Sequence, residues 1–292
     1  METFKTSEEL IKECIMDLFL TPKVLLSKWS KITNQTSQVR IAYPGQHLAS
    51  VITGIKGKGT AARGDDLSDG SEVKTCSRVD QLSECNNCGA KVLVWQEKCP
   101  VCGSQDFNIK TDSHWIFQIT TEDELNLLLN KVPRIILLLF DKENPSKNIV
   151  RLRAWIVETQ NEYVKQFFSD YYENNYKKKI TEGKKPAPCN LHPLKYDFYM
   201  MAPKLIFHAE IDFDNNNVEI KYWNIENPQV EQMPTDILRQ DEIKEIFADE
   251  INKGLSIKEI KERFPTIPED RKQKLSMRPK ILKEYKEKYK RM

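Results

Sequence analysis

The most informative stretch of the chain is Asp65-Asp66-Leu67-Ser68-Asp69-Gly70-Ser71-Glu72-Val73-Lys74, an acidic loop that leads into a short strand pattern. In an extended strand, residues two apart share a face, so Glu72 and Lys74 lie side by side while Val73 points to the other side. Mg²⁺ in proteins is usually held by one or two carboxylates, with water and substrate phosphate as its other ligands. The stretch therefore predicts a divalent-metal site at the beginning of a strand, with an ammonium group beside it.

This combination of groups is suited to phosphodiester hydrolysis. Glu72 would hold the divalent ion, and Lys74 would orient or deprotonate the attacking water, or neutralise charge that develops on the phosphate. The loop before the strand offers three candidates for the second carboxylate, which are Asp65, Asp66 and Asp69. We expect Asp66 to be the second metal ligand, with Asp65 as the alternative.

An acidic loop residue followed by Glu-x-Lys on a strand resembles the PD-(D/E)xK nuclease superfamily, which contains most type II restriction endonucleases. The matching residues are Arg63-Gly64-Asp65-Asp66-Leu67 and Glu72-Val73-Lys74-Thr75, and the proline of the family name is missing. The resemblance implies Asp66, Glu72 and Val73 as the magnesium-binding residues and Lys74 as the catalytic cation. It also implies a restriction-endonuclease-like α/β fold, in which helices flank a mixed sheet.

Within this superfamily, the segment from Tyr43 to Arg78 resembles the MamI-type restriction enzymes, which are similar in carrying cysteine pairs soon after the catalytic strand. Gln46 and His47 stand where many superfamily members have a helical glutamate, which puts that extra acidic ligand in doubt. The resemblance implies cleavage of both DNA strands to leave 5′-phosphates. It further implies a homodimer acting on a palindromic or interrupted palindromic site, paired functionally with a cognate DNA methyltransferase.

Two Cys-x-x-Cys-Gly knuckles follow the strand, and their cysteines are Cys85, Cys88, Cys99 and Cys102. Each tight loop lets two thiolates reach one tetrahedral ion, and the glycine admits the positive φ that the turn requires. Two disulfides are the alternative, but nothing in the sequence suggests secretion, so the spacing favours zinc. Four thiolates leave no open position for water, and the zinc should therefore be structural.

The knuckles define a zinc ribbon over residues 80–112. Because it follows the catalytic strand and precedes a strand pattern near 114–120, we expect an insertion between two strands of the nuclease sheet. Bracing a short scaffold is its expected role, and contact with DNA or with a dimer partner are the alternatives.

The composition fits a soluble globular protein of 292 residues, with 30% charged and 39% hydrophobic residues and a net charge of +2. No segment approaches the ~20 apolar residues of a membrane span, and the acidic start is not a signal peptide. We therefore expect a cytoplasmic protein with no membrane partner. The remaining cysteines, Cys14, Cys76 and Cys189, should be reduced thiols.

Periodicity divides the chain into an N-terminal helical segment over 1–40, a nuclease core over 41–230 and a C-terminal helical, basic segment over 231–292. Helices are predicted near 7–19, 22–31 and 159–174, and a further one starts after Tyr43-Pro44-Gly45 and reaches about Thr53. A basic loop is predicted from Lys177 to Pro188. Strands are predicted near 71–77, 114–120, 134–140, 151–157, 204–213 and 218–223.

Two basic stretches are candidates for contact with double-stranded DNA. In the loop from Lys184 to Tyr196, asparagine, histidine and lysine side chains can bond base edges or phosphates, and an ordinary surface connector is the alternative. The candidate DNA-binding residues are Lys185, Asn190, His192 and Lys195. Residues 271–292 carry ten Lys or Arg against two Glu, which suits either phosphate contact or a solvated helix end. His114 and Trp115 are expected to be strand residues near the site and not catalysts.

The function predicted from these features is site-specific, Mg²⁺-dependent double-strand cleavage of DNA by a type II restriction endonuclease. Two alternatives stay open. A structure-specific repair or recombination nuclease would keep the same catalytic residues and cut at branches or nicks. A non-enzymatic zinc-ribbon protein that binds nucleic acid would keep the cysteines and the basic tail but would not use Glu72 and Lys74.

Overall fold

The computed structural model describes residues 1–59, 65–144 and 147–278. The chain divides into two compact units, Met1–Glu231 and Gln232–Met292. The finer division of the first unit into a helical segment and a nuclease core stays a prediction. Ile11 and Ile15 of the N-terminal helices belong to the same hydrophobic core as the sheet.

The strands all lie in the first unit. They are β1 (Glu72–Ser77), β2 (Leu82–Cys85), β3 (Lys91–Leu93), β4 (Phe107–Asn108), β5 (Trp115–Phe117), β6 (Arg134–Asp141), β7 (Ile149–Glu158), β8 (Cys189–Leu191), β9 (Lys204–Asp212), β10 (Asn217–Trp223) and β11 (Gln229–Val230).

The α-helices lie in both units. They are α1 (Glu8–Ile15), α2 (Thr21–Thr33), α3 (Ala42–Thr53), α4 (Glu122–Asn130), α5 (Glu162–Asp170), α6 (Lys178–Thr181), α7 (Tyr196–Met200), α8 (Gln240–Ile246), α9 (Ala248–Asn252), α10 (Ile257–Arg263) and α11 (Glu269–Lys272). Two π-helical stretches, Met16–Leu20 and Tyr171–Lys177, and a short 3₁₀ turn, Thr235–Ile237, complete the helical elements.

The main sheet has six strands in the order β1-β6-β7-β9-β10, with β11 also paired to β9. β1 runs parallel to β6, and the other pairs are antiparallel. A parallel pair needs a long crossover connection, and the segment between β1 and β6 contains the cysteine knuckles, β5 and α4. This arrangement confirms the predicted mixed sheet and leaves β1 on its edge.

Helix α3 lies close against the edge strand β1. A Cβ added at Gly45 would lie 1.8 Å from Oγ1 of Thr75, so only glycine permits this approach. Glycine inside a helix costs about 1 kcal/mol relative to alanine. The close contact fixes where the next helical residue, Gln46, lies relative to the beginning of β1.

The opposite face of the sheet is covered by an aromatic cluster. Trp115 contacts Trp155 with ring centroids 6.4 Å apart and stacks on Phe198 at 5.7 Å. Its indole N–H donates to the carbonyl of Leu138 over 2.8 Å. Strand β5 therefore lies across the sheet face and pairs with β8 in a separate two-stranded sheet.

The knuckles lie between two strands of the main sheet, as predicted, but one detail differs. The strand that follows them, β5, pairs with β8 and is not part of the main sheet. The physical reason is burial, because the apolar residues Trp115 and Phe117 alternate along β5 and are buried best by covering the sheet. Along the chain, the next strand of the main sheet is β6.

The cysteine knuckles lie on a small three-stranded sheet with the order β3-β2-β4. A buried ion pair joins α2 to Asp80, which lies just before β2. Lys23 is 1% exposed, and its ammonium donates to the Asp80 carboxylate. Asp80 also receives a hydrogen bond from the hydroxyl of Ser77 at the end of β1, over 2.5 Å. Removing one member of a buried ion pair costs about 3–5 kcal/mol, so this contact holds α2 firmly to the segment between β1 and β2.

The helix predicted near 159–174 extends further than expected. After α5 the chain continues through the π-helical stretch and α6 to Thr181, so the basic loop is shorter than predicted. Lys177 donates to Glu173 over 2.7 Å, and Tyr172 stacks on Tyr176, which extends the helix. No helix among the described residues is long and apolar enough to cross a membrane.

The second unit is held together by its own small core. Phe247 and Phe264 have ring centroids 5.1 Å apart, and the guanidinium of Arg271 lies over both rings. Arg271 also forms an ion pair with Glu250 over 2.6 Å. Most of the basic tail predicted to contact phosphate, from residue 279 onward, lies outside the described residues.

Candidate active site

A cleft of about 500 Å³ opens along the edge strand β1. One wall carries Asp66, Glu72 and Lys74, and the other carries residues of β5 and the turns beside it. The structure thus brings together the three residues that the sequence predicted as catalytic.

Glu72 is the most buried member of this group, with 8% of the residue exposed. Its Oε1 accepts a hydrogen bond from the ammonium of Lys74, as expected for residues two apart on one strand face. Its Oε2 is buried and has no hydrogen-bond partner among the described residues. A buried anionic oxygen without a partner is costly, so this atom fits a site that receives a cation.

Asp66 is held by two donors. Its Oδ2 accepts from the backbone N–H of Val73 over 2.7 Å, and its Oδ1 accepts from Nε2 of Gln46 over 2.5 Å. Burial, followed by the neighbouring charge of Glu72, raises the pKa of the Asp66 carboxyl to about 6, against the opposing effects of the Val73 N–H and Lys74. A bound cation would offset the charge of two neighbouring carboxylates.

The backbone of Val73 faces the same side as Asp66. A residue in a strand directs its N–H and its C=O to the same side, and the Val73 N–H is bonded to Asp66 and not to β6. Its carbonyl therefore points to the open edge of the sheet, where a cation held by Asp66 can reach it.

The other two loop carboxylates are engaged elsewhere. Asp65 forms an ion pair with Lys58 on the exposed side of the loop. Asp69 accepts from Arg134 and from the hydroxyl of Ser71, each over 2.8 Å. Of the three candidates for the second carboxylate, only Asp66 lines the cleft among the described residues.

Sequence reasoning treated Gln46 only as a departure from the superfamily pattern. In the structure it lines the cleft and donates directly to Asp66, whereas its neighbour His47 is exposed. A signal was present in the sequence, because a glycine inside a predicted helix often marks a close approach to a neighbouring element, here the side chain of Thr75, and Gln46 follows it directly.

The candidate DNA-binding residues fall into two groups. Asn190 is paired with Ile116 across β5 and β8, and the ring of His192 lies 5.0 Å from that of His114. Both therefore adjoin the cleft. Lys185 and Lys195 are exposed in the flanking loops. Trp115 is fully buried in the aromatic cluster, which agrees with a structural role.

The four cysteines of the knuckles come together in space. Their sulfur atoms all lie within 4.8 Å of one another, and the Cys85–Cys102 and Cys88–Cys99 sulfurs are 3.6 Å apart. All four are free thiols, and a disulfide would need about 2.05 Å. A tetrahedral ion with metal–sulfur bonds of about 2.3 Å separates its sulfurs by about 3.8 Å, so the cluster fits a metal.

The knuckle glycines have the backbone conformation that the spacing predicted. Gly89 has φ of 72° and Gly103 has φ of 73°. Their N–H groups donate to the carbonyls of Cys85 and Cys99 over 2.8 and 2.9 Å, which closes each turn.

Comparison with known proteins adds an independent finding. The chain matches the MamI restriction endonuclease family over residues 28–240. It belongs to this family. The matched region contains the cleft residues and all four cysteines of the cluster, and the family resemblance stated from the sequence is confirmed.

The family includes the type II restriction enzyme MamI of Microbacterium ammoniaphilum, which is 29% identical over 160 residues. That alignment covers 54% of this chain and 46% of the relative, so the chain spans about half the length of the curated relative it matches. No solved structure matches the chain.

We expect Asp66→Asn to stabilise the protein in Mg²⁺-free buffer at about pH 7.5. The pKa of Asp66 is raised from 3.8 to about 6 in the folded state. Ionisation of Asp66 therefore lowers the free energy of unfolding above about pH 6. This destabilisation disappears as the pH falls from 6 towards 3.8. After allowance for solvent screening, a gain of about 1 kcal/mol raises the melting temperature by about 2–4 °C. The gain should shrink at about pH 5.

Asp65→Asn is the matched control, because Asp65 is the neighbouring carboxylate and pairs with Lys58 outside the cleft. It should give no gain. Calorimetry without a chelator leaves any metal at the cysteine cluster in place. Equal melting temperatures for Asp66→Asn and wild type at both pH values would contradict the account.

Proposed function

We propose that this protein is a Mg²⁺-dependent type II restriction endonuclease that makes site-specific double-strand cuts in DNA. The observation that carries the proposal is the cleft, which Asp66, Glu72 and Lys74 line, and where Oε2 of Glu72 has no hydrogen-bond partner among the described residues. Membership of the MamI restriction endonuclease family supports the same reaction class.

The ion would be held by the carboxylates of Asp66 and Glu72, with the Val73 carbonyl as a further ligand. When bound, Mg²⁺ polarises the scissile phosphate and acidifies the attacking water. Gln46 keeps the Asp66 carboxylate oriented through its hydrogen bond of 2.5 Å. Asp65, which pairs with Lys58, is not needed as a ligand in this arrangement.

Lys74 supplies the positive charge at the reacting phosphate. Its ammonium is positioned by Glu72 and by the ring of Phe117, whose centroid is 5.6 Å away. From there it orients the attacking water and neutralises charge that develops on the phosphate oxygens. Water loses a proton and bonds to phosphorus, the bond from phosphorus to the 3′-oxygen breaks, and that oxygen takes a proton from solvent. The products are a 5′-phosphate and a 3′-hydroxyl.

A restriction-endonuclease-like arrangement of the sheet is part of the same proposal. The Glu-x-Lys strand β1 lies on the sheet edge, pairs in parallel with β6 and is supported from one side by α3. An edge position leaves one side of β1 open to substrate, as a nuclease centre on a strand requires.

The partners follow from the chemistry. Double-stranded DNA is the proposed substrate, with Lys185 and Lys195 on phosphates and Asn190 and His192 near bases. A nuclease that cuts at specific sites needs protection of the same sites in its own cell, which a cognate DNA methyltransferase would supply. A cytoplasmic location agrees with the free thiols of the cysteine cluster, since thiols persist in reducing compartments.

We further propose that the cysteine cluster binds Zn²⁺ in a structural role. The four sulfurs match the spacing of a tetrahedral thiolate site and leave no position for water. The buried Lys23–Asp80 pair lets the ribbon brace the end of β1.

A homodimer is the proposed assembly, and α2 provides a surface for it. This helix leaves several apolar side chains exposed, and Leu25, Trp29 and Ile32 lie on one face. Trp29 is 55% exposed and Ile32 is 68% exposed. An exposed apolar stripe of this kind marks a contact site.

Charge complementarity favours a second copy of the chain as the occupant of this surface. The exposed charges of α2 include Lys28 and Lys31, whereas α1 and the residues after it expose Glu9, Glu13 and Asp17. A two-fold contact places the same patch of both copies together, so the basic α2 of one copy can face the acidic α1 of its partner.

We expect wild-type protein to digest unmethylated phage-sized DNA into discrete bands in the presence of Mg²⁺. Lys74→Ala should lower the cleavage rate at least about 100-fold, because it removes the charge at the phosphate, and it should still bind DNA. Lys221→Ala is the control, since Lys221 lies on β10 at the other edge of the sheet. If wild type instead gives a smear of fragments and Lys74→Ala gives none, a structure-specific or nonspecific nuclease is favoured. Unchanged cleavage by Lys74→Ala would disprove the catalytic assignment.

Freshly purified protein should contain about one equivalent of zinc per chain in metal analysis. Cys99→Ser should lose most of it, because three thiolates leave the tetrahedral site incomplete. Cys14→Ser is the control and should keep the metal, since Cys14 lies on α1 and is not part of the cluster. Less than about half an equivalent in unchelated wild type would defeat the zinc assignment.

Sedimentation velocity should show a dimer at the concentrations used for cleavage. Trp29→Glu should shift the protein to monomer, because it places a charge in the apolar stripe of α2. Ile180→Glu is the matched control, since Ile180 on α6 is 54% exposed and lies outside this stripe. A monomeric wild type, or a Trp29→Glu variant that stays dimeric, rejects this surface as the interface.

A further inference from the structure

The two-stranded sheet of β5 and β8 has two unlike faces. Its register pairs are Trp115–Leu191, Ile116–Asn190 and Phe117–Cys189. Because side chains alternate along a strand, the first and third pairs share one face, and all four of those residues are buried. That face packs onto the protein, and its Phe117 also lines the cleft beside Lys74.

The other face is open and lies in the cleft. Ile116 is 48% exposed, and the residues two positions away on either side, His114 and Gln118, line the same cleft as Glu72 and Lys74. Asn190 lies opposite Ile116, and the ring of His192 contacts that of His114. These five side chains, His114, Ile116, Gln118, Asn190 and His192, are called the ribbon face below.

The chemistry of the ribbon face suits bases better than phosphates. It carries two amides, two imidazoles and one aliphatic group, and no lysine, arginine or carboxylate. Phosphate contacts come largely from charged side chains, whereas amides bond base edges and aliphatic groups contact the methyl of thymine. Burial, followed by the charges of His114 and Arg78, lowers the pKa of His192, which keeps its imidazole neutral and able to accept a hydrogen bond.

One acceptor on the ribbon face is unused. The Oδ1 of Asn190 is buried and has no hydrogen-bond partner within the described residues. Buried polar atoms are nearly always bonded, and an exocyclic amino group of a base would supply the missing donor.

The shape of the element also fits duplex DNA. The major groove admits a two-stranded β-ribbon, and this ribbon stands across the cleft from the proposed catalytic residues. A base contacted by the ribbon face would therefore lie close to the phosphate that is cut.

We propose that the β5–β8 ribbon is the base-reading element, with Gln118 and Asn190 bonding base edges and Ile116 contacting a thymine methyl group in the major groove. The inference rests on the proposed nuclease function and deepens it. It adds His114, Ile116 and Gln118 to the residues that the sequence suggested, and it assigns the loop lysines to phosphate contact.

The test compares sequence preference across variants. Wild type, Gln118→Ala and Asn190→Ala are each incubated with a randomised duplex library and Mg²⁺, and the cut sequences are counted. Gln118→Ala and Asn190→Ala should each lower the preference for the best site over single-base changes about 10-fold or more. Gln118 is exposed, so its variant should fold even if Asn190→Ala does not, and circular dichroism checks both.

Two matched controls separate base contact from general affinity. Gln105→Ala removes an exposed amide in the segment of the cysteine knuckles, and it should leave the sequence preference unchanged. Lys185→Ala removes an exposed lysine beside β8 and should lower cleavage of all sequences to the same extent. If Gln118→Ala also lowers the cleavage of all sequences equally, or keeps the wild-type sequence preference, the inference is overturned.

Selection of bound sequences from the same library with Ca²⁺ in place of Mg²⁺ distinguishes the two proposals. If wild type does not cut but binds with a preference that Gln118→Ala loses, the nuclease function fails and the base-reading role stands. If wild type cuts with a preference that Gln118→Ala retains, the nuclease function stands and the base-reading role fails. If wild type shows neither cutting nor preferential binding, both proposals are overturned.

Discussion

The arrangement depends on two carboxylates, Asp66 and Glu72, that the fold holds together against their mutual repulsion. Burial and the charge of Glu72 raise the pKa of Asp66, and one oxygen of Glu72 is left without a partner among the described residues. Proteins rarely bury such groups unless a ligand balances them. The free energy that a cation would recover here is the physical basis of the proposed metal site.

The surrounding structure serves to keep that pair in place. Gly45 lets α3 lie against β1 and places Gln46 on Asp66. At the other end of β1, the buried Lys23–Asp80 pair joins α2 to the zinc ribbon, residues 80–112. The zinc ribbon and α3 thus hold β1 on both sides, as the proposed catalytic role of a short edge strand requires.

Local patterns made β1 and the cysteine cluster predictable. A period of two places Glu72 and Lys74 together, and Cys-x-x-Cys-Gly spacing fixes a turn whatever the rest of the fold. The pairing of β5 was not predictable in this way, because a strand's partner depends on distant residues, here those of β8. The contact of Gln46 with Asp66 was missed for the same reason, and the sequence alone left Asp65 and Asp66 as alternatives.

The central claim is that Asp66 and Glu72 hold a divalent cation beside Lys74. Its most direct test is a crystal structure of the wild-type protein grown with Mn²⁺, which marks the magnesium position by anomalous scattering. The account predicts a Mn²⁺ peak bounded by Asp66, Glu72 and the Val73 carbonyl. A peak held by Asp65 instead, or no peak in the cleft while DNA is still cleaved, would contradict it.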